Sequence, residues 1–162
     1  MVSQTNMPES RAVVECDVLA ISSGGGHWVQ LMLLREALHG LRVHYACTNA
    51  DCAADVEPDR FEVVADANVR SPLRLILSFV QVARLVVRLE PRLVVSTGAA
   101  PGLMAILVAA ALGRRTVWVE SLAGVTRLTL SGRLARPFAS RFIVQWPELA
   151  AAHQVEYHGS LL

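Results

Sequence analysis

The chain has 162 residues, of which 53% are hydrophobic and 18% are charged, and its formal net charge is +1. This length predicts a single domain with a sizeable core, and the composition is more apolar than that of an ordinary soluble domain. The near-neutral charge argues against a nucleic-acid-binding protein, which would normally carry a basic face. The apolar excess indicates either a sheet covered on both faces or a surface that meets a partner or a membrane.

The three cysteines, Cys16, Cys47 and Cys52, are typical of free thiols in a reducing compartment. Their number is odd, and Cys47 and Cys52 lack the second ligand pair of a zinc site, so we expect neither a metal nor a cofactor. Residues 1–15 are polar, without the apolar core of a signal peptide, and we expect them to be mobile. No apolar run reaches the length of a membrane span.

Apolar runs bounded by turn residues predict strands at residues 17–21, 41–47, 61–65, 93–96, 116–120, 141–145 and 155–158. Helices are predicted at residues 28–39, 72–89, 103–112 and 147–152, with a broken helical region at 125–138 and a weak turn within 48–59. Ser71 and Pro72 form an expected N-cap and first helical residue. This alternation predicts one α/β domain at residues 16–162, with a Rossmann-like parallel sheet and helices on both faces.

The segment SSGGGH, residues 22–27, lies where the first strand hands over to the first helix. Glycines let the backbone approach an anion closely, and a helix N-terminus adds unpaired N–H groups. The segment therefore predicts a site for a phosphate or pyrophosphate, formed by Ser22, Ser23, Gly24, Gly25 and Gly26. Its spacing matches neither a P-loop nor a dinucleotide fingerprint, so a purely structural turn is the alternative.

Ligands of parallel sheets bind beyond the carboxyl ends of the strands, where further polar residues of this chain are expected. His27 is a candidate general base or phosphate donor, or else a capping or packing histidine. Thr97 and Gly98 could cradle an anion or a sugar, or form only a turn. Glu120, followed by Ser121, could accept a hydrogen bond from a ligand hydroxyl, or be a solvated or capping carboxylate.

The helix predicted at residues 72–89 is apolar around nearly its whole circumference, with Arg74, Arg84 and Arg88 as its only charges. Such a helix is either buried in the core or against a partner, or in contact with lipid at a membrane surface. The arginines within residues 125–138 could likewise face an anionic ligand or lipid headgroups, or form a solvated helix face.

Six motifs occur in order along the chain: SSGGGH at 22–27, STG at 96–98, VES at 119–121, LSGRL at 130–134, RFIVQWPEL at 141–149 and YHG at 157–159. With these motifs the chain, from about Leu19 to its C-terminus, resembles the family of the eukaryotic asparagine-linked glycosylation protein fourteen and its bacterial PssD-type relatives from exopolysaccharide synthesis. The VQWP run with the preceding SGRL segment is the specific part of the resemblance. That family is similar to the N-terminal half of MurG-like GT-B glycosyltransferases.

The resemblance implies one subunit of a two-chain, inverting glycosyltransferase. This chain would hold a polyprenyl-pyrophosphate-linked saccharide as acceptor, and a small second subunit would carry the UDP-sugar site. The glycine loop would meet a phosphate of the acceptor or donor, Glu120 and Ser121 match the family's Glu-Ser motif, and His27 or Glu120 would orient or deprotonate the acceptor hydroxyl. Eukaryotic members begin with a membrane-spanning helix, whereas we expect none in this sequence, so its attachment would be peripheral or through the partner. We expect the chain to be cytoplasmic and peripheral at the inner face of the cell membrane.

Two other functions fit the same residues. One is a non-catalytic scaffold that only docks the catalytic subunit to the membrane, which would not need His27 or Glu120. The other is a free-standing, flavodoxin-like module that binds a small phosphorylated ligand without any partner. The sequence leaves the transferred sugar open among glucuronic acid, glucose and N-acetylglucosamine.

Overall fold

The computed structural model describes residues 16–67 and 71–161, and the predicted mobile segment at residues 1–15 lies outside them. Seven parallel strands form one sheet in the order β3-β2-β1-β4-β5-β6-β7. The strands are β1 (Val18–Ser22), β2 (Val43–Cys47), β3 (Phe61–Val63), β4 (Leu93–Ser96), β5 (Arg115–Val119), β6 (Arg141–Val144) and β7 (Glu156–Tyr157). The predicted Rossmann-like parallel sheet is confirmed.

The helices of the described residues are α1 (Gly26–Leu33), α2 (Pro72–Leu89), α3 (Ala99–Ala111), α4 (Leu130–Ala135) and α5 (Pro147–His153). Short 3₁₀ turns lie at Arg35–Leu38, Ala50–Asp55, Pro58–Arg60 and Arg136–Phe138. Helices α2 to α5 pack on one face of the sheet, against a core that includes Leu19, Ile21 and Trp118. Helix α1 packs on the other face, against Val18 and Ala20. Both faces are therefore covered, as predicted.

Helices α1 and α3 have bounds that differ from those predicted, and the predicted cap of α2 makes no side-chain hydrogen bond. Helix α1 ends at Leu33, and the residues up to Leu38 form a separate 3₁₀ turn instead of its last turn. Helix α3 begins at Ala99, four residues early, because Pro101 is tolerated in a first turn, where its missing N–H costs nothing. Ser71 occupies the N-cap position of α2, but its side chain makes no capping hydrogen bond.

His44, on β2, is a buried histidine whose two ring nitrogens have no hydrogen-bond partner among residues 16–67 and 71–161. The nearest carboxylate oxygen, Glu62 Oε2, lies 4.0 Å from its Nε2. Burial lowers the pKa of His44 below its ordinary value of 6.5; the Glu62 carboxylate opposes this shift, while Arg88 and Arg60 add to it. The folded protein therefore holds this imidazole in its neutral form.

We expect the free energy of unfolding to decrease as the pH falls below about 6.5 because of His44. The unfolded chain takes up a proton near that pH whereas the folded chain does not, so protons favour unfolding until the pH is below the lowered pKa of the folded state. The difference in unfolding free energy between the native chain and His44→Leu should change by about 1 kcal/mol between about pH 7.5 and about pH 5.5 in urea titrations. A difference that is the same at both pH values would contradict this role.

Candidate active site at the carboxyl edge of the sheet

The centre of the sheet is the pair β1 and β4, which are hydrogen-bonded neighbours although β2 and β3 lie between them in the sequence. From β1 the chain extends the sheet in one direction, and from β4 it extends the sheet in the other. In such sheets ligands bind in the crevice beyond the carboxyl ends of the strands where the order reverses. Strand β1 leads into the glycine loop and β4 leads into Thr97 and Gly98, so the two predicted loops border this crevice.

The glycine loop ends in an open helix N-terminus. Gly25 is the N-cap of α1, with a φ of 70° in the left-handed region. The first backbone hydrogen bond of the helix runs from Val29 N to Gly25 O at 3.1 Å, so the amides of Gly26 and the next two residues are not used within the helix. Both Gly25 and Gly26 are exposed, and the first turn of α1 has no acidic residue. This end of α1 is suited to an anion.

The first half of the loop is held internally. Ser22 is fully buried, and its hydroxyl donates to Ser23 O at 3.0 Å. The Ser23 hydroxyl donates to Gly24 O at 3.4 Å, and Gly24 N donates to Thr48 Oγ1 at 3.1 Å. Ser22, Ser23 and Gly24 thus shape the loop, while Gly25 and Gly26 form its open part. The role of Thr48 was not predicted from the sequence, because the one feature that points to it is its position directly after β2.

His27 joins the two loops through a reciprocal pair of hydrogen bonds. Its Nδ1 lies 2.9 Å from Thr97 O, and Thr97 Oγ1 donates to His27 O at 2.7 Å. A carbonyl oxygen only accepts, so Nδ1 carries the proton and the lone pair of the neutral ring lies on Nε2. The ring is half-buried, and Nε2 makes no hydrogen bond within the described part of the chain. Nε2 can accept a proton or, once protonated, donate to an anion.

Gly98 packs directly against the His27 ring. Its φ is 137°, and a Cβ added to it would lie 2.5 Å from His27 Cε1. The Gly98 amide donates to Ser96 Oγ at 3.2 Å, and the Thr97 side chain is fully buried. Thr97 and Gly98 therefore hold the His27 ring in place. The Thr97 hydroxyl and carbonyl and the Gly98 amide are already used in hydrogen bonds within the protein. The next residues begin α3, whose first turn also has no acidic residue.

Glu120 follows β5 at the same edge, but its carboxylate is turned into the protein and is 0% exposed. Its Oε2 accepts a hydrogen bond from Trp118 Nε1 at 3.0 Å, and Oε1 accepts one from Thr129 N at 3.2 Å. Gly132 in α4 packs so closely that a Cβ there would lie 1.9 Å from Glu120 Oε2. The carboxylate thus caps the start of α4 and ties that helix to β5, and it is not exposed at the crevice.

A family model described as "Oligosaccharide biosynthesis protein Alg14 like" matches residues 46–161. The chain belongs to the Alg14 family. The "UDP-N-acetylglucosamine transferase subunit ALG14" of Yarrowia lipolytica is 34% identical over 136 residues, which cover 78% of this chain and 63% of the yeast protein. The protein of the same name from Candida albicans is 26% identical over 95% of this chain and 82% of its own length. The chain thus spans less than two thirds of the Yarrowia relative.

Solved structures show the same fold at low identity. MurG of Acinetobacter baumannii matches 82% of this Alg14-family chain with a TM-score of 0.66 and 15% identity, over 42% of its own length. The UDP-GlcNAc 2-epimerase of Methanocaldococcus jannaschii matches 88% of the chain with a TM-score of 0.68 and 13% identity, over 45% of its length. The resemblance to half of a GT-B enzyme is confirmed for the fold, which enzymes of different reactions share.

Two side chains of the Alg14-family chain, Gln30 and Trp146, fix the loop after β5. Gln30 on α1 is 2% exposed; its Nε2 donates to Glu120 O at 2.8 Å, and its Oε1 accepts from Leu122 N at 3.2 Å. Trp146, of the VQWP run, donates from Nε1 to Leu122 O at 3.0 Å. Ser121 lies in this loop and accepts a backbone N–H two residues on at 3.3 Å. The sequence offered one clue to Gln30, a polar side chain within a largely apolar helix.

Helices α2 and α4 of the Alg14-family chain expose large apolar side chains. Leu73 is 80% exposed, Ile76 60% and Leu130 61%, whereas Val82 and Leu85 of α2 are buried in the core. We use the name α2–α4 surface for the exposed apolar side chains of the first half of α2, of α4 and of the 3₁₀ turn after α4: Leu73, Ile76, Leu77, Phe79, Val80, Leu130, Leu134 and Phe138. Such patches mark interaction sites. Within residues 16–67 and 71–161, no helix is both long and apolar enough to span a bilayer.

Within residues 16–67 and 71–161 of the Alg14-family chain, no three or more His, Cys, Asp or Glu side chains are placed to share a metal ion. Cys47 and Cys52 are both buried, with their Sγ atoms 3.1 Å apart, and burial raises the pKa of Cys52 to about 12. The Cys52 thiol therefore stays protonated, as suits a packing role.

Proposed function

We propose that this chain is the acceptor-binding subunit of a two-chain, inverting glycosyltransferase that transfers a sugar from a UDP-sugar to a polyprenyl-pyrophosphate-linked saccharide. The observation behind the proposal is the hydrogen bonding of His27. Its Nδ1 is bonded to Thr97 O, while Nε2 is left open at the start of α1, where the first amides are not used within the helix. Membership in the Alg14 family supports it. Because the fungal relatives are named as UDP-N-acetylglucosamine transferase subunits, UDP-N-acetylglucosamine is the first donor to test.

In this mechanism the acceptor hydroxyl attacks the anomeric carbon of the sugar as the bond from that carbon to UDP breaks, which inverts the configuration. Nε2 of His27 takes the hydroxyl proton, and the Thr97 carbonyl stabilises the resulting imidazolium through Nδ1–H. The amides at Gly26 and the start of α1 hold a phosphate of the acceptor, which orients the hydroxyl. The second subunit supplies the UDP-sugar site and stabilises the negative charge that develops on the departing UDP.

Glu120 acts in this scheme as a positioning residue, because its two carboxylate oxygens are engaged by Trp118 and Thr129. It holds α4 against β5, and Gln30 connects the backbone of the same loop to α1. Proton transfer is therefore assigned to His27 alone. Ser121, half-buried on this loop, is the residue of the Glu-Ser motif that faces outward, and we propose that it contributes to acceptor binding.

The variant His27→Asn is the sharpest test of this mechanism. Asparagine can still donate a hydrogen bond towards Thr97 O but offers no base at the Nε2 position. We expect sugar transfer to fall about 100-fold, while binding to the second subunit is unchanged. The assay uses the co-purified complex, UDP-N-acetylglucosamine and a pyrophosphate-linked acceptor. Native activity in His27→Asn and in His27→Ala would remove His27 from the mechanism and favour a scaffold that only docks the catalytic subunit.

We also propose that the α2–α4 surface rests on the membrane, which makes the chain a peripheral protein of the inner face of the cell membrane. The exposed apolar side chains of this surface can enter the boundary between headgroups and acyl chains. The exposed guanidiniums of Arg74 on α2 and Arg133 on α4 are suited to anionic headgroups. This position would bring the crevice close to a lipid-linked acceptor.

The double variant Leu73→Gln/Ile76→Gln tests this surface. Each side chain that no longer enters lipid costs about 1.5 kcal/mol, so affinity for anionic phospholipid vesicles should fall at least about tenfold in a sedimentation assay. Val29→Gln is the matched control, because Val29 is 60% exposed on α1, on the opposite face of the sheet. If the double variant binds vesicles normally and instead loses the second subunit, the surface belongs to the partner interface.

A further inference from the structure

A groove of about 640 Å³ lies between α2, α3 and α4 and has no part in the proton transfer described above. Its walls include Leu75 and Phe79 of α2, Leu103 and Leu107 of α3, and Leu134 of α4. Ser131 is the one described residue that lines it with a polar side chain. The volume falls within the range of small-molecule sites, which are typically about 300–1,000 Å³. Among residues 16–67 and 71–161, no charged side chain lines the groove, and this lining favours a hydrocarbon occupant.

The groove begins beside the candidate anion site. Ala100 and Leu103, in the first turns of α3, line it, and Gly98, two residues before Ala100, contacts the His27 ring. On the opposite wall, α4 enters the groove at Leu130, directly after Thr129, the residue whose amide donates a hydrogen bond to Glu120. A ligand with its anionic head at the start of α1 and an apolar chain directed along α3 would therefore occupy both sites at once.

We propose that this groove binds the isoprene units nearest the pyrophosphate of the lipid-linked acceptor. The inference rests on the proposed function and deepens it by placing the lipid chain in a built subsite of the protein. The anion site at the same edge of the sheet favours this occupant over a bilayer acyl chain or a partner helix, since a pyrophosphate-headed chain carries both the anionic and the apolar group that the two sites suit. The surrounding α2–α4 surface gives the chain a path out of the membrane.

The test compares binding of inorganic pyrophosphate, farnesyl pyrophosphate and farnesol to the full chain by calorimetry. Leu107→Trp fills the groove from α3, and Val87→Trp is the matched control, because Val87 is 57% exposed on α2, lies outside the α2–α4 surface and does not line the groove. We expect farnesyl pyrophosphate to bind the native chain and Val87→Trp at least about tenfold more tightly than pyrophosphate, a difference of about 1.4 kcal/mol. Leu107→Trp should lose this preference while it keeps its affinity for pyrophosphate and its melting temperature.

Farnesol separates the failure of the groove from the failure of the anion site. If pyrophosphate does not bind, but farnesol binds the native chain and Val87→Trp and not Leu107→Trp, the groove proposal holds and the phosphate site of the proposed function fails. A preference for the prenyl chain that persists in Leu107→Trp overturns the groove proposal. It is also overturned if the native chain binds farnesyl pyrophosphate no better than pyrophosphate, or if both tryptophan variants lose the preference for the prenyl chain to the same extent.

Discussion

Replacing Gly98 with alanine is expected to lower the free energy of unfolding by about 3–5 kcal/mol and to displace the His27 ring. Two costs add at this position. A φ of 137° lies in a region that alanine enters only under strain, and the new Cβ would lie 2.5 Å from Cε1 and 2.6 Å from Nδ1 of His27. Because the ring is tied to Thr97 O, it cannot move without breaking the hydrogen bond that fixes its tautomer. Sugar transfer should fall at least as far as in His27→Asn.

The variant Gly40→Ala isolates the backbone part of this cost. Gly40 also has a positive φ, 81°, but a Cβ there meets no atom within 4 Å, so only strain of about 1 kcal/mol is expected. The remainder of the Gly98→Ala effect should disappear when the ring is removed, so Gly98→Ala should cost less in a His27→Ala background. Equal costs in the two backgrounds, measured by urea unfolding, would show that Gly98 does not pack against His27 as described.

Gly132→Ala should be about as damaging, at about 3–4 kcal/mol of unfolding free energy, for a different reason. Its backbone is helical and unstrained, but a Cβ would lie 1.9 Å from Glu120 Oε2, inside a fully buried contact. The carboxylate would have to move and would leave the Trp118 indole N–H or the Thr129 amide without its acceptor, which costs about 1–3 kcal/mol for each buried group in addition to the overpacking.

Gly26→Ala is the matched control for stability, since Gly26 is also helical and a Cβ there meets nothing within 4 Å. That variant should be neutral or slightly more stable, because alanine is the better helix former. Glu120→Gln should itself destabilise the chain by about 1–3 kcal/mol, because an amide has only one acceptor oxygen for two buried donors. Thermal unfolding of the three variants decides the matter: if Gly132→Ala melts like the native chain, the contact between α4 and Glu120 is wrong.

The elements that depend on local sequence were predicted closely. Helix α2 begins at Pro72 and ends at Leu89 as predicted, because proline suits a first helical position and Pro91 prevents continuation. Strand β4 was also predicted at its observed bounds. The early start of α3 was missed because Gly102 reads as a loop residue, whereas it is helical here and packs against Ser96, where a Cβ would lie 1.9 Å from the hydroxyl oxygen.

The sequence by itself determined three features of this protein. Hydrophobic periodicity gives the parallel α/β fold, the order of the motifs gives the family, and the histidine directly after a glycine loop makes His27 the candidate site residue. Only the tertiary structure decided what the side chains do. The proton on Nδ1 of His27 is set by the carbonyl of Thr97, 70 residues away in sequence. Glu120, a carboxylate at a strand end, is taken out of solvent by α4. Burial and hydrogen-bond partners come from distant segments that meet only in the folded chain.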